Sequence, residues 1–336
     1  MDLSATYMGL VLPNPLVASP SPLSYNLDGI RRLADGGVGA IVLFSLFEEQ
    51  LREQTARAIG LVEQTAESFP EALSYFPSVA EEDGSPRAYL TLLERAVNSV
   101  DIPVIASLNG VTREGWTEYA RAMQDAGAAA IELNIYYLPG NLEVSGRDVE
   151  QRHVDVLERV KSAVTVPVAV KLSPYFSSPG EMALRLDTAG ADALVLFNRF
   201  LQPDIDPEQL VVLPRVNLSS PADARLARTW IALLRGRVTA SLAATSGVEV
   251  PTDLARYLLA GADVVMTTSA LLRHGSSYAT DLLDGLRSWM ARKGFQTVGD
   301  VRGLLAVPRD ADAAAYERSS YVTAMRAANA GAYNPW

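Results

Sequence analysis

A lysine at the end of a strongly apolar stretch is the first residue of this sequence that could do chemistry. Lys171 belongs to Val166-Pro-Val-Ala-Val-Lys-Leu172, a stretch typical of a buried strand. A buried ammonium needs a counter-ion or a ligand, because an unpaired charge is costly to remove from water. Three interpretations follow: a lysine that contacts a cofactor or substrate, which is favoured; a structural ion pair; or a nucleophile that forms a Schiff base with a carbonyl substrate.

The other apolar stretches also end in polar side chains, and most of these are small. Carboxylates do not cluster there, and Glu132 falls two residues before the end of its stretch. This composition argues against a metal site, which needs several Asp, Glu or His ligands, and against glycoside hydrolysis, which needs two facing carboxylates. It favours a large planar cofactor that offers ring nitrogens and carbonyls for hydrogen bonding. The polar residues at these ends include Ser19, Ser45, Ser107, Asn134, Lys171, Asn198, Ser246 and Thr268.

Two of these ends are typical of loops that bind phosphate. Ser246-Gly247 opens one loop, and Thr268-Ser269 precedes a predicted helix. Glycine lets backbone amides approach an anion, and helix N-termini favour negative charge. Taken alone, each motif is explained equally well by a plain turn.

The elements that must position these residues are indicated by a corner that recurs four times. In each corner a helix-like stretch ends in a glycine turn that leads directly into an apolar strand, since glycine tolerates the left-handed conformation that ends a helix. The corners begin at Asp35, Asp125, Thr188 and Ala260. Further strands at residues 15–19, 102–107, 166–172 and 237–242 bring the predicted number to eight.

Eight strands that alternate with helices predict an α/β fold with a parallel sheet, most simply a closed (β/α)8 TIM barrel. An open doubly wound sheet is the alternative, but it would need a Gly-x-Gly-x-x-Gly loop, and none is present. In a barrel of this kind the catalytic face is the carboxyl end of the strands. We predict one domain over residues 1–336, with insertions after strands two and six and a helical tail from about residue 306.

Composition excludes several classes of function. The 336 residues carry a formal net charge of −10, which argues against a nucleic-acid or anionic-membrane partner. The absence of cysteine excludes disulfides, thiol nucleophiles and iron–sulfur ligation by this chain, and it fits a cytoplasmic protein. His153 and His274 are too few to build a metal centre, and both are expected on helix surfaces. No apolar run is long enough to span a bilayer, and no signal peptide is predicted.

The strand-end residues, in their order, resemble the dihydroorotate dehydrogenase family of FMN-dependent barrels. The resemblance runs from Asn14 to Phe295. It is carried most specifically by Ile131-Glu-Leu-Asn134, Val166-Pro-Val-Ala-Val-Lys-Leu-Ser-Pro174, Leu218-Ser-Ser-Pro221 and Thr245-Ser-Gly-Val248. It implies an FMN-dependent oxidoreductase that transfers a hydride between the flavin and a C–C bond beside a carbonyl of a dihydropyrimidine-like substrate.

The resemblance also implies a role for each matching residue. Asn134 and Asn198 would contact the substrate and the flavin ring, and Lys171 would lie at the pyrimidine edge of the flavin and favour its anionic reduced form. With Tyr137 these are the expected catalytic residues. The cofactor-binding residues would be Ala18, Ser19, Ser45, Ser107, Asn134, Lys171, Asn198, Ser220, Ser246, Gly247, Thr268 and Ser269.

Three departures from the family pattern put the substrate in doubt. Where the family has a Cys or Ser that removes the carbon-bound proton, three residues after Asn134, this chain has Tyr137. A tyrosine with its ordinary pKa of about 10 is a weak base at neutral pH unless a neighbour such as Lys171 shifts it; alternatively Tyr137 only packs on the substrate. Phe44 replaces a family lysine near strand two, and residues 74–76 lack the asparagine of the family's substrate loop. We therefore predict weak or absent turnover of dihydroorotate.

A homodimer is expected, as is the absence of the family's membrane-linked segment. The family's heteromeric class includes a partner subunit with an iron–sulfur cluster and a second flavin, and such an electron-transfer partner stays open for this chain. Two alternative functions also stay open. One is a Schiff-base barrel enzyme of the aldolase kind centred on Lys171. The other is a flavin-binding electron-transfer or assembly subunit without its own substrate chemistry.

Overall fold

A closed parallel barrel forms the centre of the protein. The computed structural model describes residues 1–47, 86–110, 116–137, 140–199, 203–213 and 217–329. Their strands are Ala5–Tyr7 (β1), Leu10–Leu12 (β2), Leu16–Ala18 (β3), Ala40–Phe47 (β4), Val104–Asn109 (β5), Ala130–Asn134 (β6), Val168–Leu172 (β7), Ala193–Leu196 (β8), Asp204–Asp206 (β9), Val211–Leu213 (β10), Ser241–Ala244 (β11) and Val264–Thr267 (β12). The closed order β11-β12-β3-β4-β5-β6-β7-β8 confirms the TIM barrel, and the open doubly wound alternative is wrong.

Helices follow the strands, and most of them pack on the outside of the barrel. They are Leu27–Asp35 (α1), Pro86–Val97 (α2), Trp116–Asp125 (α3), Gly146–Ala163 (α4), Pro179–Thr188 (α5), Ala224–Leu234 (α6), Pro251–Ala260 (α7), Ser269–His274 (α8), Tyr278–Lys293 (α9), Val298–Val301 (α10) and Ala313–Asn329 (α11). The predicted corners are present, since their glycines have φ between +90° and +119°. These corners turn each helix directly into the next buried strand, at Gly37, Gly127, Gly190 and Gly261.

The amino end of the barrel is closed by a hairpin that the sequence did not predict. β1 pairs antiparallel with β2, and Tyr7, Met8 and Leu12 pack inside the barrel against its interior side chains. The Tyr7 hydroxyl is buried without a hydrogen-bond partner among the described residues. Burial, with Glu132 and Asp263 nearby, raises the pKa of Tyr7 well above its usual value. The barrel interior therefore opens toward the carboxyl ends of the strands.

Two expectations about local structure are wrong. The seventh barrel strand begins at Ser241 rather than at residue 237, because the Asp187 carboxylate accepts the backbone N–H groups of Thr239 and Ala240 and holds them in a loop. His153 is not on the surface but 1% exposed, since it lies on the inner face of α4. His274 is exposed, as expected, at the end of α8.

The segments outside the barrel are described in part. After β8 the chain forms the antiparallel pair β9–β10. The stretch predicted as an insertion after strand two lies mostly outside the described residues, as do residues 74–76. Within the described ranges, no helix is both long and apolar enough to cross a membrane.

Candidate functional site

A cavity of about 270 Å³ opens at the carboxyl ends of the barrel strands. Its walls come from the residues that follow β3, β8, β11 and β12 and from the end of β7. No Asp or Glu lines it within the described part of the chain. The lining residues that matter most for the chemistry are Ser19, Lys171, Asn198, Arg199, Ser219 and Ser246.

Ser19 offers this cavity a buried hydroxyl group. Its side chain is 6% exposed, and its Oγ has no hydrogen-bond partner among the described residues. The backbone N–H of Ser19 donates to the carbonyl of Thr267, which anchors the residue between β3 and β12. A buried polar atom without a partner is costly, so the hydroxyl is suited to a ligand group. The neighbouring Ala18 lies in the core and outside the cavity lining.

The turn after β11, residues 246–248, lines the cavity. Ser246 and Gly247 both have positive φ, +79° and +69°. The backbone N–H groups of residues 246–248 have no acceptor among the described residues, and consecutive amides of this kind form an anion-binding nest. The Tyr257 hydroxyl donates to the Ser246 carbonyl at 2.7 Å and holds the turn from behind. A Cβ at Gly247 would meet the Ser220 carbonyl oxygen at 2.7 Å, so the site needs glycine.

The hydroxyl groups of the other residues predicted to bind phosphate form hydrogen bonds with protein groups. Thr268 Oγ1 donates to the Ser19 carbonyl at 3.1 Å. Ser269 Oγ accepts from the backbone N–H and the hydroxyl of Ser219, both at 2.9 Å. Ser220 lies outside the cavity lining and donates to Asp223, whereas its neighbour Ser219 lines the cavity. These hydroxyls tie the β8, β12 and β3 ends together.

Two asparagine amides meet at the ends of β6 and β8. Asn198 Nδ2 donates to Asn134 Oδ1 at 2.6 Å. The backbone N–H of Asn198 donates to the Leu172 carbonyl at 2.7 Å, which fixes the start of the loop after β8. The mutual bond leaves the Asn198 oxygen and the Asn134 NH2 group for a ligand. Together these atoms can bind the adjacent N–H and C=O groups of a cyclic amide.

Lys171 has an ionic partner inside the barrel. Its Nζ lies 3.5 Å from Glu132 Oε1, and Glu132 is only 1% exposed. Neither oxygen of Glu132 has a hydrogen bond within the described residues. The sequence pointed to Lys171 but not to this partner, although both residues lie on neighbouring strands in the same predicted sheet. Lys171 also lines the cavity, so its ammonium group, paired with Glu132, lies beside the open space.

Ser45 and Ser107 form a closed pair on the adjacent strands. Their hydroxyl groups are 2.8 Å apart, and neither residue lines the cavity. The backbone N–H of Ser107 donates to the buried Tyr89 hydroxyl at 2.9 Å. Burial raises the pKa of Tyr89, which therefore stays neutral. These two serines support the wall rather than face the open space.

Tyr137 stands just beyond β6, half-buried. Its ring lies under the guanidinium group of Arg152, whose Cζ is 4.0 Å from the ring centroid, a cation–π contact. The neighbouring His153 packs edge-on against Phe176, with ring centroids 5.0 Å apart. Burial lowers the pKa of His153, so its imidazole is neutral in the fold. Tyr137 does not line the cavity, and its ring contact is with Arg152 rather than with Lys171.

Arg199 and Ser219 are cavity residues to which the sequence assigned no role. Arg199 directly follows Asn198, and this adjacency was the available signal. Ser219 precedes the predicted Ser220 by one position, and only the turn geometry decides which of the two faces the cavity. Among the described residues, no group of three or more His, Asp or Glu side chains is placed to hold a metal ion.

Comparison with known proteins identifies the family of the chain. The family profile described as dihydroorotate dehydrogenase matches residues 77–290, more than half of the chain. The NAD-dependent dihydropyrimidine dehydrogenase subunit PreA of Escherichia coli K12 is 27% identical over 319 residues, covering 90% of this chain and 76% of that protein. The catalytic subunits of dihydroorotate dehydrogenase B (NAD(+)) from Thermoplasma acidophilum and Methanothermobacter thermautotrophicus are 27% and 26% identical, each covering 90% of this chain and 98% of the relative. The chain therefore belongs to the dihydroorotate dehydrogenase family of oxidoreductases.

Proposed function

We propose that the protein is an FMN-dependent oxidoreductase that transfers a hydride between the flavin and a C–C bond beside a carbonyl of a dihydropyrimidine-like ring. One observation carries the proposal. Among the described residues, the Ser19 hydroxyl and three consecutive backbone amides have no hydrogen-bond partner, and they belong to residues of the cavity that Lys171, paired with Glu132, also lines. Bound FMN would supply the hydride acceptor or donor at its ring N5.

The turn at residues 246–248 would hold the FMN phosphate. Its free N–H groups supply hydrogen bonds to an anion, and Gly247 leaves room for close approach. Ser220, Thr268 and Ser269 would act through the loops that they tie together, since their hydroxyl groups are already engaged. The protein would thus bind phosphate largely through its backbone.

Residues on the opposite wall would contact the flavin ring. Ser19 would donate its free hydroxyl, and Lys171 would place a positive charge against the pyrimidine edge, where negative charge develops on reduction. Glu132 keeps that ammonium group in place and balances it. Ala18 and the Ser45–Ser107 pair would shape the wall from behind.

Asn134 and Asn198 would bind the substrate ring. Their mutual hydrogen bond leaves one acceptor and one NH2 donor, which match the alternating N–H and C=O groups of a dihydropyrimidine. Tyr137 would remove or return the carbon-bound proton, because it occupies the position that does so in the family pattern. The Arg152 guanidinium group against its ring would hold it in place.

The Schiff-base alternative has less support. A Schiff-base lysine reacts as a neutral amine, whereas Lys171 lies against a buried carboxylate, the natural counter-ion of an ammonium group. We also propose that electrons reach or leave the flavin through a partner subunit, because the PreA relative is named as a subunit of an NAD-dependent dehydrogenase. Co-purification of the chain from its native source, at its natural abundance, tests this point.

Spectroscopy of the purified protein tests the proposed function. We expect a yellow protein with flavin absorbance, and uptake of FMN by the flavin-free form at one equivalent per chain. Riboflavin, which lacks the phosphate, should bind at least about tenfold more weakly, since a charge-assisted contact is lost. Anaerobic addition of dihydropyrimidines and related cyclic imides should bleach the flavin. A colourless protein that takes up no FMN would exclude the proposal.

A further inference from the structure

A second cavity, of about 420 Å³, opens at the amino end of the barrel, opposite the site described above. It lies between the β1–β2 hairpin, the loop that leads into β11, the residue before β12 and the residue that follows α10. In the part of the chain that the structure describes, no aromatic side chain lines it, so it offers no ring on which a planar ligand would stack. Its polar lining residues are Thr6, Arg235, Thr239, Ser241, Asp263 and Arg302.

Two arginines of this cavity share one carboxylate. Arg235 Nη1 donates to both oxygens of Asp263, at 3.0 and 3.2 Å, and Arg302 Nη1 donates to Asp263 Oδ1 at 2.7 Å. Asp263 Oδ2 also accepts the backbone N–H of Leu242 at 2.8 Å. The acceptor capacity of the carboxylate is therefore filled, while its single negative charge balances only one of the two guanidinium groups.

Many donors of the cavity have no acceptor within the described ranges. Each guanidinium group uses Nη1 alone for Asp263, which leaves the N–H groups of Nη2 and Nε on both side chains. The Ser241 hydroxyl accepts from the backbone N–H of Met8 at 3.1 Å, and its own proton also has no acceptor there. The lining thus combines spare donors with an excess of positive charge.

The backbone holds the Arg235 side chain in place without using these donors. The side chain runs along Gly261, where an added Cβ would lie 2.7 Å from Arg235 Cγ, and a Cβ at Gly303 would lie 3.5 Å from the same atom. Both glycines have positive φ, +119° and +79°. A guanidinium group that is held through its aliphatic stem loses little conformational entropy when it binds a ligand.

Arg237, in the same loop, shows an arginine whose donors serve the fold. Its Nη1 donates to two backbone carbonyl groups, at 2.6 and 3.1 Å, and its Nη2 donates to the Pro308 carbonyl at 2.7 Å. Arg237 does not line the cavity. Arg235 and Arg302 do line it, and each keeps one terminal nitrogen without a protein partner among the described residues. The difference lies in how many donors the protein itself occupies.

We propose that this cavity binds a phosphate group, either as inorganic phosphate or as the phosphate of a small ester. The site is separate from the proposed cofactor site, and the inference does not rest on the proposed function. Two guanidinium groups from different elements present N–H groups in more than one direction, which suits the several oxygens of a tetrahedral anion. A carboxylate would need only one such group.

The charge around the cavity supports an anionic ligand. The protein has a net charge of −10, so a local excess of positive charge is a specific feature of this end of the barrel. The nearby Asp187 carboxylate lies outside the cavity lining and accepts backbone N–H groups of the loop before β11. A bound phosphate group would connect that loop, the β1–β2 hairpin and Arg302, and it should therefore stabilise the closed amino end.

Calorimetric titration of the full-length, FMN-loaded protein tests the proposal, with inorganic phosphate and glycerol 3-phosphate as ligands at constant ionic strength. At least one of them should bind at one equivalent per chain and raise the thermal unfolding midpoint, whereas acetate and chloride should do neither. Arg302→Gln should weaken the binding at least about tenfold and leave FMN affinity unchanged, since a charge-assisted contact is lost while Asp263 keeps Arg235. Arg287→Gln, in a surface pair with Asp284 on α9, is the control and should bind phosphate as wild type does.

Two outcomes would overturn the proposal: phosphate that binds wild type no more tightly than acetate or chloride, or binding that Arg302→Gln leaves unchanged. If Arg302→Gln does not fold, wild-type crystals soaked in phosphate decide, because an anion between Arg235 and Arg302 supports the site and its absence there removes it. If the protein takes up no FMN, the proposed function fails separately. The same titrations on the flavin-free chain then apply, since residue 302 lies at the opposite end of the barrel from the turn at residues 246–248.

Discussion

The interior of the barrel differs between the side built by β4 to β7 and the side built by β8, β11, β12 and β3. The first side carries polar groups within the strands, and these satisfy one another as the Ser45–Ser107 hydroxyl pair and the Lys171–Glu132 ion pair. The second side is apolar at the centres of its strands, with Ser241 and Thr267 at the strand ends. Its inward residues are Val195, Ala243, Met266 and Val17.

Beyond the strand ends, the second side has polar groups without hydrogen-bond partners among the described residues. They are the Ser19 hydroxyl and the amides of residues 246–248. The difference teaches how one barrel can separate two tasks. In the proposed function, the paired side chains would set the charge that faces the cofactor, and the backbone groups of the other side would hold its phosphate.

The largest expected effect comes from removing the Lys171 charge, which lies on the side built by β4 to β7. Lys171→Met should slow flavin reduction about 10²–10³-fold, because the charge that faces the developing negative charge is lost. It should also lower the free energy of unfolding by about 3–5 kcal/mol, since Glu132 stays buried without a partner. Stopped-flow absorbance and urea denaturation measure the two effects. The double variant Lys171→Met with Glu132→Leu should recover stability but not reduction.

Lys161→Met is the matched control for that variant. Lys161 forms a partly exposed pair with Asp192 on the outside of the barrel. Its loss should cost no more than about 1 kcal/mol and leave reduction unchanged. If the double variant regains normal reduction, Lys171 has no part in the chemistry.

The next largest effect concerns the transfer of the substrate's carbon-bound proton by Tyr137. Tyr137→Phe should lower the rate of flavin reduction by a dihydropyrimidine about 10²-fold and leave FMN affinity unchanged, because it removes only the hydroxyl group. Arg152→Gln, which removes the cation above the ring, should have a smaller effect in the same direction. Anaerobic stopped-flow measurement of both variants gives the order. An unchanged rate in Tyr137→Phe would leave the residue a packing role only.

A smaller effect is expected from a change in the turn at residues 246–248, on the other side of the barrel. Gly247→Ala should weaken FMN binding at least about tenfold, because the added Cβ meets the Ser220 carbonyl oxygen and the turn has to move. Gly236→Ala is the control: it has a similar positive φ, +79°, but open space around the added carbon. It should cost about 1–2 kcal/mol of stability without changing FMN affinity. Equal FMN affinities in both variants would remove the turn from the cofactor site.

The smallest effect concerns His153, which packs behind the polar side. Burial lowers its pKa, so the unfolded chain binds the proton more readily than the folded protein. Stability should therefore fall as the pH drops below the ordinary histidine pKa of about 6.5. His153→Gln should remove part of this dependence, because the buried imidazole is then absent. Urea unfolding at pH 5.5 and pH 8 gives the comparison.

The sequence predicted what depends on local pattern. Glycine corners located the strands, and strand ends brought Asn134 and Asn198 into one site because parallel strands end at the same edge. The sequence did not predict features that depend on a residue far away in the chain. The Asp187 carboxylate delays the start of β11, and the partner of Lys171 depends on strand register. The choice between Ser219 and Ser220 depends on one turn, which no periodicity encodes.

Among the described residues, the hairpin closes the amino end of the barrel, so the Lys171–Glu132 pair lies at the inner end of the cavity that opens at the carboxyl ends of the strands. Tyr7 is fully buried together with its hydroxyl group and fills the barrel interior near Glu132. A ligand bound at the opening of the cavity would then block solvent. The protons of the Lys171–Glu132 pair would exchange with solvent only as fast as that ligand dissociates. The residence time of the ligand would set the rate of protonation there.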